Sequence, residues 1–214
     1  MKGRFITFEG GEGTGKTTQI KMLAEYLQSK GIEVVLTKEP GGTPIGQELR
    51  TMLCTGDKDK FDAVAEALLY YADRRIHLQQ KILPALSEGK WVISDRFADS
   101  TMAYQYYGYN KRVPKQTLEE LYKMTVGDFY PDMTVILDIN PEIGLARSMA
   151  RNSTSVVQET RHESRGLEFH NNLRNGFLEI AKTAPRYNVL NADKSIEELH
   201  GDIVKLIDER LLNA

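Results

Sequence analysis

Gly10-Gly11-Glu12-Gly13-Thr14-Gly15-Lys16-Thr17 is a glycine-rich stretch that ends in lysine and threonine. It follows a short apolar run at residues 5–8 and leads into a segment with helical spacing. The pattern G-x-x-x-x-G-K-[ST] between a strand and a helix is typical of the phosphate-binding P-loop. Glycines permit the tight turn, so that successive backbone N–H groups and the helix N-terminus face an anion. We therefore expect a nucleoside triphosphate site here.

The side chains of this loop have distinct predicted roles. Lys16 would contact the outer phosphates, and the Thr17 hydroxyl would hold Mg²⁺. The residues predicted to bind ATP are Gly10, Gly11, Glu12, Gly13, Thr14, Gly15, Lys16, Thr17 and Thr18. A P-loop identifies the triphosphate but not the second substrate, which the rest of the chain must specify.

The bulk composition is that of one ordinary globular domain spanning residues 1–214. Hydrophobic residues make up 41% and charged residues 27%, and the formal net charge is −2. This charge argues against a protein that binds long nucleic acid by electrostatic attraction alone. The lone Cys54 excludes an internal disulfide framework. Because no apolar stretch is long enough for a signal peptide or a spanning helix, we expect a cytoplasmic protein without membrane contact.

Short apolar strands alternate with helical patterns along the whole chain. The strands are predicted at residues 5–8, 34–37, 91–93, 135–137 and 188–191. The helices are predicted at residues 45–53, 61–86, 100–107, 114–126 and 196–212, with another beginning at Pro141. The longest has Phe61, Val64, Leu68, Ala72 and Ile76 on one apolar face. Alternation of this kind predicts an α/β fold, with a parallel sheet between two layers of helices.

Polar residues follow several predicted strands. In open parallel sheets the ligand lies at the carboxyl ends of the strands. Glu39-Pro40, Asp95 and Asp138 all fall at such ends, so we expect them to surround one site with the P-loop. Asp95 could hold Mg²⁺ through water, and Arg96 could bind the transferring phosphate. A helix N-cap or turn is the competing interpretation, and it is favoured for Asp138.

Helical spacing groups further candidates. Glu66, Tyr70 and Arg74 share one stripe of the long predicted helix. Thr101 and Gln105 form one i, i+4 pair, and Ser100 and Tyr104 form another. A tyrosine ring can stack on a base, whereas arginine and glutamine can bond its edge. The alternative is a solvated helix face with an aromatic residue at its border.

At these residues the chain resembles bacterial thymidylate kinases, P-loop nucleoside monophosphate kinases. The resemblance is carried by several blocks along nearly the whole length. They are the P-loop with Thr18, T-K-E-P-G-G-T at residues 37–43, Y-Y-A-D-R at 70–74, S-D-R-F at 94–97, S-T-x-A-Y-Q at 100–105, and D-I-N-P-E-x-G-L-A-R at 138–147. The resemblance implies phosphorylation of dTMP to dTDP by ATP and Mg²⁺, a step of dTTP biosynthesis. It also implies a five-stranded sheet and a homodimer.

The resemblance implies roles for individual residues. Tyr70 would stack on thymine, Arg74 would bond its edge, and Thr101 and Gln105 would read the rest of the base. Tyr104 would crowd the ribose 2′ position and so favour a deoxy sugar. Residues near the acceptor phosphate and sugar would be Glu39, Arg50 and Arg96, with Ser100 close by. Mg²⁺ would lie on Thr17 and Asp95.

A polar segment at residues 147–165 is predicted to be a mobile lid. Its arginines are Arg147, Arg151, Arg161 and Arg165. Phosphoryl transfer needs a closing, charge-neutralising segment. In the family that the chain resembles, one branch carries a basic residue inside the P-loop and another carries it in the lid. Because residues 11–14 contain no basic side chain, the lid should supply the catalytic arginine. Arg151 and Arg161 are the candidates for it, and Arg147 is expected near ATP.

Two other functions remain open at this point. One is a kinase for a different nucleoside monophosphate. The other is a nucleotide-dependent switch protein that hydrolyses slowly and binds a partner. The switch lacks an N-K-x-D-like guanine signal and leaves the Tyr70 and Arg74 stripe without a task. For the lid, the competing interpretation is a flexible loop with ordinary surface arginines.

Overall fold

A computed structural model describes residues 2–57, 59–152, 161–162 and 164–213, with the backbone alone at 151 and 152. Strands and helices alternate as the sequence predicts. The strands are β1 Phe5–Glu9, β2 Val34–Lys38, β3 Trp91–Asp95, β4 Met133–Asp138 and β5 Tyr187–Asn191. The helices are α1 Lys16–Ser29, α2 Pro44–Cys54, α3 Ala63–His77, α4 Leu83–Ser87, α5 Ala98–Met102, α6 Lys115–Thr125, α7 Pro141–Asn152, α8 Leu167–Ala181 and α9 Ile196–Ile207.

The five strands form one all-parallel sheet in the order β2-β3-β1-β4-β5. This confirms the predicted α/β class and the five-stranded parallel sheet. The strand that precedes the P-loop is central, with β3 on one side and β4 on the other. Asp95 pairs with Phe8 of β1 and with Lys38 of β2. The carboxyl ends of these strands therefore meet at one edge of the sheet.

Helices cover both faces of the sheet. On one face α1 and α9 bury Leu23, Leu27 and Ile203 against Ile6 and neighbouring strand residues. On the other face Leu78, Ile82 and Phe97 form a second cluster, and residues of α8 form a third with Ile136. Both faces of the strands lie against apolar helices, which explains why their sequences are continuous apolar runs.

The long helix predicted at residues 61–86 differs from the structure in two ways. It is divided into α3, a π-helical turn Leu78–Ile82, and α4, which has Pro84 in its first turn. Its predicted apolar face is also not the core face: Val64 and Leu68 are 46% and 49% exposed. The polar stripe is buried instead, with Glu66 and Arg74 each 1% exposed. A helix that lines a polar site can bury its polar stripe and leave its apolar stripe exposed, so periodicity alone does not predict the buried face.

One helix, α8, was not predicted from the sequence. Helix α8 covers the third cluster with Phe169, Leu173, Phe177 and Ile180. These residues recur at intervals of four, four and three, which is the spacing of a buried helical stripe. A further π-helical turn, Ala103–Gly108, extends α5, and a third, Asp208–Leu212, extends α9.

The predicted lid at residues 147–165 is described only in part. Its first residues complete α7, and residues 161, 162, 164 and 165 rejoin the fold before α8. Residues 153–160 and 163 lie outside the described residues. Within the described ranges, no helix is long and apolar enough to cross a membrane.

Candidate active site

The loop between β1 and α1 wraps tightly and needs glycine. Gly13 and Gly15 have φ of 65° and 89°, in the left-handed region that favours glycine. A Cβ on Gly13 would lie 1.9 Å from the carbonyl oxygen of Gly144 at the start of α7. The loop is therefore held between the sheet edge and α7, and any side chain at position 13 would force the two apart.

Lys16 is the first residue of α1, and its ammonium group points back into the loop. Nζ donates to the carbonyl oxygens of Gly11, at 2.7 Å, and Gly10, at 3.2 Å. Burial, with help from the charge of Arg96, lowers the pKa of Lys16 to about 8. The ammonium group therefore lies at the loop in a poorly solvated place, where an anion would be a strong partner.

Thr17 and Asp95 meet at the mouth of the loop. The Thr17 hydroxyl donates to Oδ2 of Asp95 at 2.9 Å, although the two residues are far apart in the sequence. The pairing of β1 with β3 brings them together. A hydroxyl and a carboxylate oxygen are suitable ligands for Mg²⁺, which usually keeps several waters and binds few protein groups. The two residues predicted to hold the metal are thus adjacent and oxygen-bearing.

Arg96 reaches across the edge of the sheet to the P-loop. Its backbone has a φ of 72°, in the left-handed region. Its Nη1 donates to the Gly10 carbonyl at 2.8 Å and to the Ser100 hydroxyl at 3.0 Å, and its Nη2 donates to Glu12 at 3.1 Å. Burial would raise the pKa of Glu12, but Arg96 and Lys16 outweigh it and lower that pKa to about 2. Glu12 is therefore ionised, and its negative charge offsets part of the positive charge of Arg96 and Lys16.

Two clefts open on this edge of the sheet. The larger, of about 830 Å³, follows the P-loop, and we call it the donor cleft. Its lining comprises Glu12, Gly13, Thr14, Gly15, Lys16, Thr17, Thr18, Ile20, Lys21, Leu36, Thr37, Lys38, Glu39, Gly41, Gly42, Arg50, Lys81, Asp95 and Arg96. Of the predicted ATP-binding residues, Gly10 and Gly11 line neither this cleft nor the second one.

The second cleft, the acceptor cavity, is smaller at about 140 Å³. Its lining comprises Glu12, Glu39, Pro40, Arg50, Cys54, Tyr70, Arg74, Arg96, Phe97, Ser100, Thr101, Tyr104 and His162. Four of these residues, Glu12, Glu39, Arg50 and Arg96, also line the donor cleft. The two clefts therefore meet at a charged junction rather than lying on separate surfaces.

Arg74 is the most deeply held cation of the acceptor cavity. Its Nε donates to Oε2 of Glu39 at 2.9 Å, and its Nη2 donates to the Phe97 carbonyl and the Thr101 hydroxyl. The guanidinium also packs against the rings of Tyr71 and Phe97. Because its direction is set by three elements at once, the group presents a fixed set of donors to the cavity.

Several buried polar atoms near this cavity have no hydrogen-bond partner in the described residues. They include Nη1 of Arg74, both amide atoms of Gln105 and Nδ1 of His162. Leaving a buried donor or acceptor unpaired costs free energy, so such groups call for an explanation. A planar ligand with donors and acceptors on its edge would supply partners. Gln105 itself is fully buried and is not among the residues that line the cavity.

Aromatic groups form the walls. Tyr104 donates from its hydroxyl to Glu12 at 2.6 Å and lies under the Arg96 guanidinium. The Tyr70 hydroxyl lies 2.9 Å from Nε2 of His162. Burial lowers the pKa of His162 to about 4, so its ring is neutral near pH 7. The sequence analysis gave His162 no role, and no spacing signal connects it with Tyr70.

Two of the lid arginines, Arg147 and Arg161, bond other parts of the protein. Arg161 is buried and donates to Oε2 of Glu66 at 2.8 Å and to the carbonyl oxygens of Leu53 and Asp57. Arg147 reaches the Ala192 carbonyl at 3.3 Å. Neither lines the donor cleft or the acceptor cavity. The Arg151 side chain lies outside the described residues, so the catalytic role predicted for the lid stays a prediction.

Asp138, the other candidate at a strand end, has a structural role. Arg174 of α8 grips its carboxylate with two hydrogen bonds, from Nε at 2.7 Å and from Nη2 at 2.8 Å. This bidentate pair ties α8 to the end of β4. Asp138 lines neither the donor cleft nor the acceptor cavity, and its carboxylate pairs with Arg174 instead of capping a helix or a turn.

A P-loop cleft for a triphosphate that joins a second cavity for a smaller planar ligand defines a phosphotransferase of the P-loop nucleotide kinase class. The family model described as thymidylate kinase matches residues 8–203. The thymidylate kinase of Bradyrhizobium sp. (strain ORS 278) is 45% identical, with 100% of this chain and 93% of that protein covered. That of Maridesulfovibrio salexigens is 47% identical, covering 97% and 96%.

The chain therefore belongs to the thymidylate kinase family. A crystal structure of thymidylate kinase from Ehrlichia chaffeensis is also similar. Its TM-score is 0.76 at 35% sequence identity, and the match covers 97% of this chain and 99% of that one. The resemblance in the sequence blocks is thus confirmed at the level of family and fold.

Proposed function

We propose that ATP occupies the donor cleft and dTMP the acceptor cavity, with the γ-phosphoryl group passing between them at the charged junction. The observation that carries this is the shared lining of the two clefts by Glu12, Glu39, Arg50 and Arg96. At a shared junction the γ-phosphate of ATP and the phosphate of dTMP can come into direct contact. Both substrates are water-soluble nucleotides, and the cytoplasm stays the expected location.

Catalysis rests on position and charge. Lys16 binds the outer phosphates of ATP, and Arg96 lies where the transferring group would pass. An acceptor phosphate is already anionic, so it needs no general base, and neutralising the charge that spreads in the transition state is the main requirement. Arg151 and Arg161 are the two candidates for an additional lid arginine, and Arg161 would have to leave Glu66 to take that role.

Mg²⁺ fits the Thr17 and Asp95 pair. Both residues line the donor cleft, and the Thr17 hydroxyl oxygen lies 2.9 Å from Oδ2 of Asp95. When bound, the ion would neutralise charge on the ATP phosphates. The chain contributes by holding the two oxygens together across the β1 and β3 pairing.

The acceptor cavity reads a pyrimidine base. Tyr70 supplies a ring for stacking, and the unpaired Nη1 of Arg74 can donate to a carbonyl oxygen of the base. Thr101 fixes the guanidinium from the other side. The Tyr104 ring, fixed by its bond to Glu12, stands where a ribose 2′-hydroxyl would crowd it. Gln105 contributes its amide if the π-helical turn that carries it adjusts toward the base.

A coupled assay of ADP release with a panel of monophosphates tests this function. We expect strong preference for dTMP over dCMP, dGMP and AMP, because the donors of the cavity are matched to a thymine edge. TMP, the ribose analogue, should be a poorer substrate than dTMP. Equal rates across the panel would contradict the base-reading role of Arg74 and Tyr70.

A homodimer is supported by an apolar surface on α2 and α3. These helices pack against one another and expose Ile45, Met52, Val64 and Leu68, each about half accessible. A contiguous apolar patch on a monomer usually marks an interaction surface. The opposite side of α3 lines the acceptor cavity, so a twofold contact here would brace the helix that carries Tyr70 and Arg74.

Sedimentation equilibrium of a charged variant tests the dimer. Leu68→Glu should convert the protein to a monomer, because it places a charge in the patch. Ile196→Glu is the control, since Ile196 is 51% exposed at the start of α9, away from α2 and α3. A Leu68→Glu protein that stays dimeric, or a monomeric wild type, would contradict this interface.

A further inference from the structure

His77 is a fully buried histidine beneath the junction of the two clefts, and neither the P-loop nor the base-reading stripe explains it. It is the last residue of α3 and is 0% exposed. Its Nδ1 lies 2.8 Å from Oε1 of Glu39, and its Nε2 lies 2.6 Å from the Thr37 hydroxyl. The ring therefore joins the end of β2 to the loop that carries Glu39.

The partners determine which nitrogen carries the proton. A carboxylate accepts hydrogen bonds and cannot donate one, so Nδ1 must be the N–H that faces Glu39. In the neutral ring Nε2 is then an acceptor, and the Thr37 hydroxyl donates to it. Thr37 thereby stabilises the tautomer that Glu39 requires, as outer partners commonly do for histidine.

This arrangement fixes both oxygens of Glu39. Oε1 accepts from His77, and Oε2 accepts from Nε of Arg74. Arg74 is in turn fixed through Nη2 by Thr101, which leaves Nη1 as its unpaired donor. The orientation of Nη1 of Arg74 thus depends on a chain of hydrogen bonds that runs from Thr37 through His77 and Glu39.

The loop itself rests on the histidine ring. A Cβ on Gly42 would lie 2.2 Å from Cδ2 of His77, so the backbone three residues after Glu39 packs directly on the imidazole. A side chain larger than the imidazole at position 77 would push this loop and its carboxylate away. Both contacts act on the segment that carries Glu39, whereas His77 itself lines neither cleft.

We propose that His77 is a positioning residue of the acceptor cavity, holding Glu39 and, through it, Arg74 in the orientation that binds the base. This inference rests on the proposed function, because it takes the cavity to be the dTMP site. His77 touches no substrate atom. Its effect is on acceptor affinity and not on the phosphoryl transfer step.

Two amide variants test this role. Asn places its amide nitrogen near the position of Nδ1, whereas Gln places it near Nε2, toward Thr37. We expect His77→Asn to keep the KM for dTMP within about threefold of wild type. His77→Gln should raise it about tenfold or more, the scale of losing a charge-assisted hydrogen bond. The KM for ATP and the kcat at saturating dTMP should change little in both variants.

Thr37→Val provides a second variant that keeps the imidazole. It removes the hydroxyl that stabilises the tautomer, and we expect a smaller rise in the KM for dTMP, of a few-fold. His200→Gln on α9 is the control and should behave as wild type. Equal impairment of the Asn and Gln variants, or a KM for dTMP that none of the substitutions moves, would overturn the proposal.

These outcomes are separate from a failure of the proposed function. If wild type prefers a different monophosphate in the substrate panel, dTMP is the wrong acceptor. The difference in acceptor KM between His77→Asn and His77→Gln can then still be measured with the preferred monophosphate. If wild type uses dTMP and His77→Gln keeps its affinity for it, only the positioning role is wrong.

Discussion

The donor cleft and the acceptor cavity share a junction but are built in opposite ways. The P-loop part of the donor cleft is one continuous stretch, Glu12–Thr18, whose backbone groups and helix N-terminus are suited to bind phosphate. The acceptor cavity takes side chains from the loop after β2, from α2, α3 and α5, and from the end of the lid. The first site is local in sequence, and the second exists only in the fold.

This difference has physical consequences. A backbone site tolerates most side-chain changes but not a Cβ at Gly13, because that atom would lie 1.9 Å from the Gly144 carbonyl oxygen. The acceptor cavity is a chain of side-chain hydrogen bonds, so its members depend on one another. Substitutions in the donor cleft should therefore act on turnover through single residues. Those in the acceptor cavity should act on affinity and propagate.

The largest expected effect comes from Lys16→Ala, which breaks the donor cleft. Lys16 is the cationic side chain of the P-loop and is proposed to bind the ATP phosphates, so its loss should lower kcat by about 10²-fold or more. Steady-state kinetics with saturating ATP and dTMP measures this. Lys30→Ala, at the other end of α1, is the control. Near-normal turnover of the Lys16 variant would remove it from the mechanism.

Arg74→Ala should show the contrasting pattern. It removes the donor fork and leaves Glu39 without its buried cation, so the KM for dTMP should rise by about ten- to a hundredfold. Direct titration should find ATP affinity near that of wild type. Arg75→Ala changes the exposed neighbouring arginine, which bonds the Thr125 carbonyl, and serves as the matched control. An equal loss of ATP affinity would contradict the separation of the two clefts.

Thr101→Val is a finer test of dependence within the acceptor cavity. It keeps the shape of the side chain but removes the hydroxyl that accepts from Nη2 of Arg74 at 3.0 Å. We expect the KM for dTMP to rise a few-fold, the scale of one neutral acceptor. In the Arg74→Ala background, Thr101→Val should raise the KM for dTMP little further, because the guanidinium that bonds Thr101 is already absent. Full additivity of the two would show that Thr101 does not act through Arg74.

Glu9→Gln should alter stability rather than chemistry. Burial and the charge of Asp99 raise the pKa of Glu9 to about 8, above its ordinary value of 4.5. Between these values the folded protein holds a proton that the unfolded chain has lost, so this group's contribution to the free energy of unfolding falls as pH rises. Glu9→Gln abolishes that fall.

Urea unfolding of wild type and Glu9→Gln at several pH values from 5 to 8 measures the effect. The difference in unfolding free energy should move in favour of the variant as pH rises. Glu9 accepts from the Phe97 backbone N–H and from the Ser100 hydroxyl, so an amide keeps one of the two acceptors. A difference that is constant with pH would show that Glu9 is ionised in the folded protein.

The exposed and buried faces of α3 show where sequence reasoning failed. Its apolar residues Val64 and Leu68 are about half exposed, whereas the polar Glu66 and Arg74 are buried. Periodicity reveals which residues share a face, but it does not tell what covers that face. Here a polar cavity covers one side, and the apolar side is left to the surface proposed for the dimer.

His77 and His162 show a second limit. Each matters through a partner that is remote in sequence: Glu39 for one and Tyr70 for the other. Both histidines contact other side chains, so neither belongs to a sequence motif that would predict its role. A buried histidine at the end of a helix gives no local signal of this kind.

The sequence alone determined the P-loop, the parallel α/β sheet and the family, because each follows from short-range patterns. Glycines at fixed offsets, apolar runs and strand-end carboxylates carry that information within a few residues. The tertiary structure decided which carboxylates meet the loop, which face of α3 is buried, and that Glu39, Arg74 and His77 form one chain. Those outcomes depend on strand order and on contacts between distant elements, which no local pattern records.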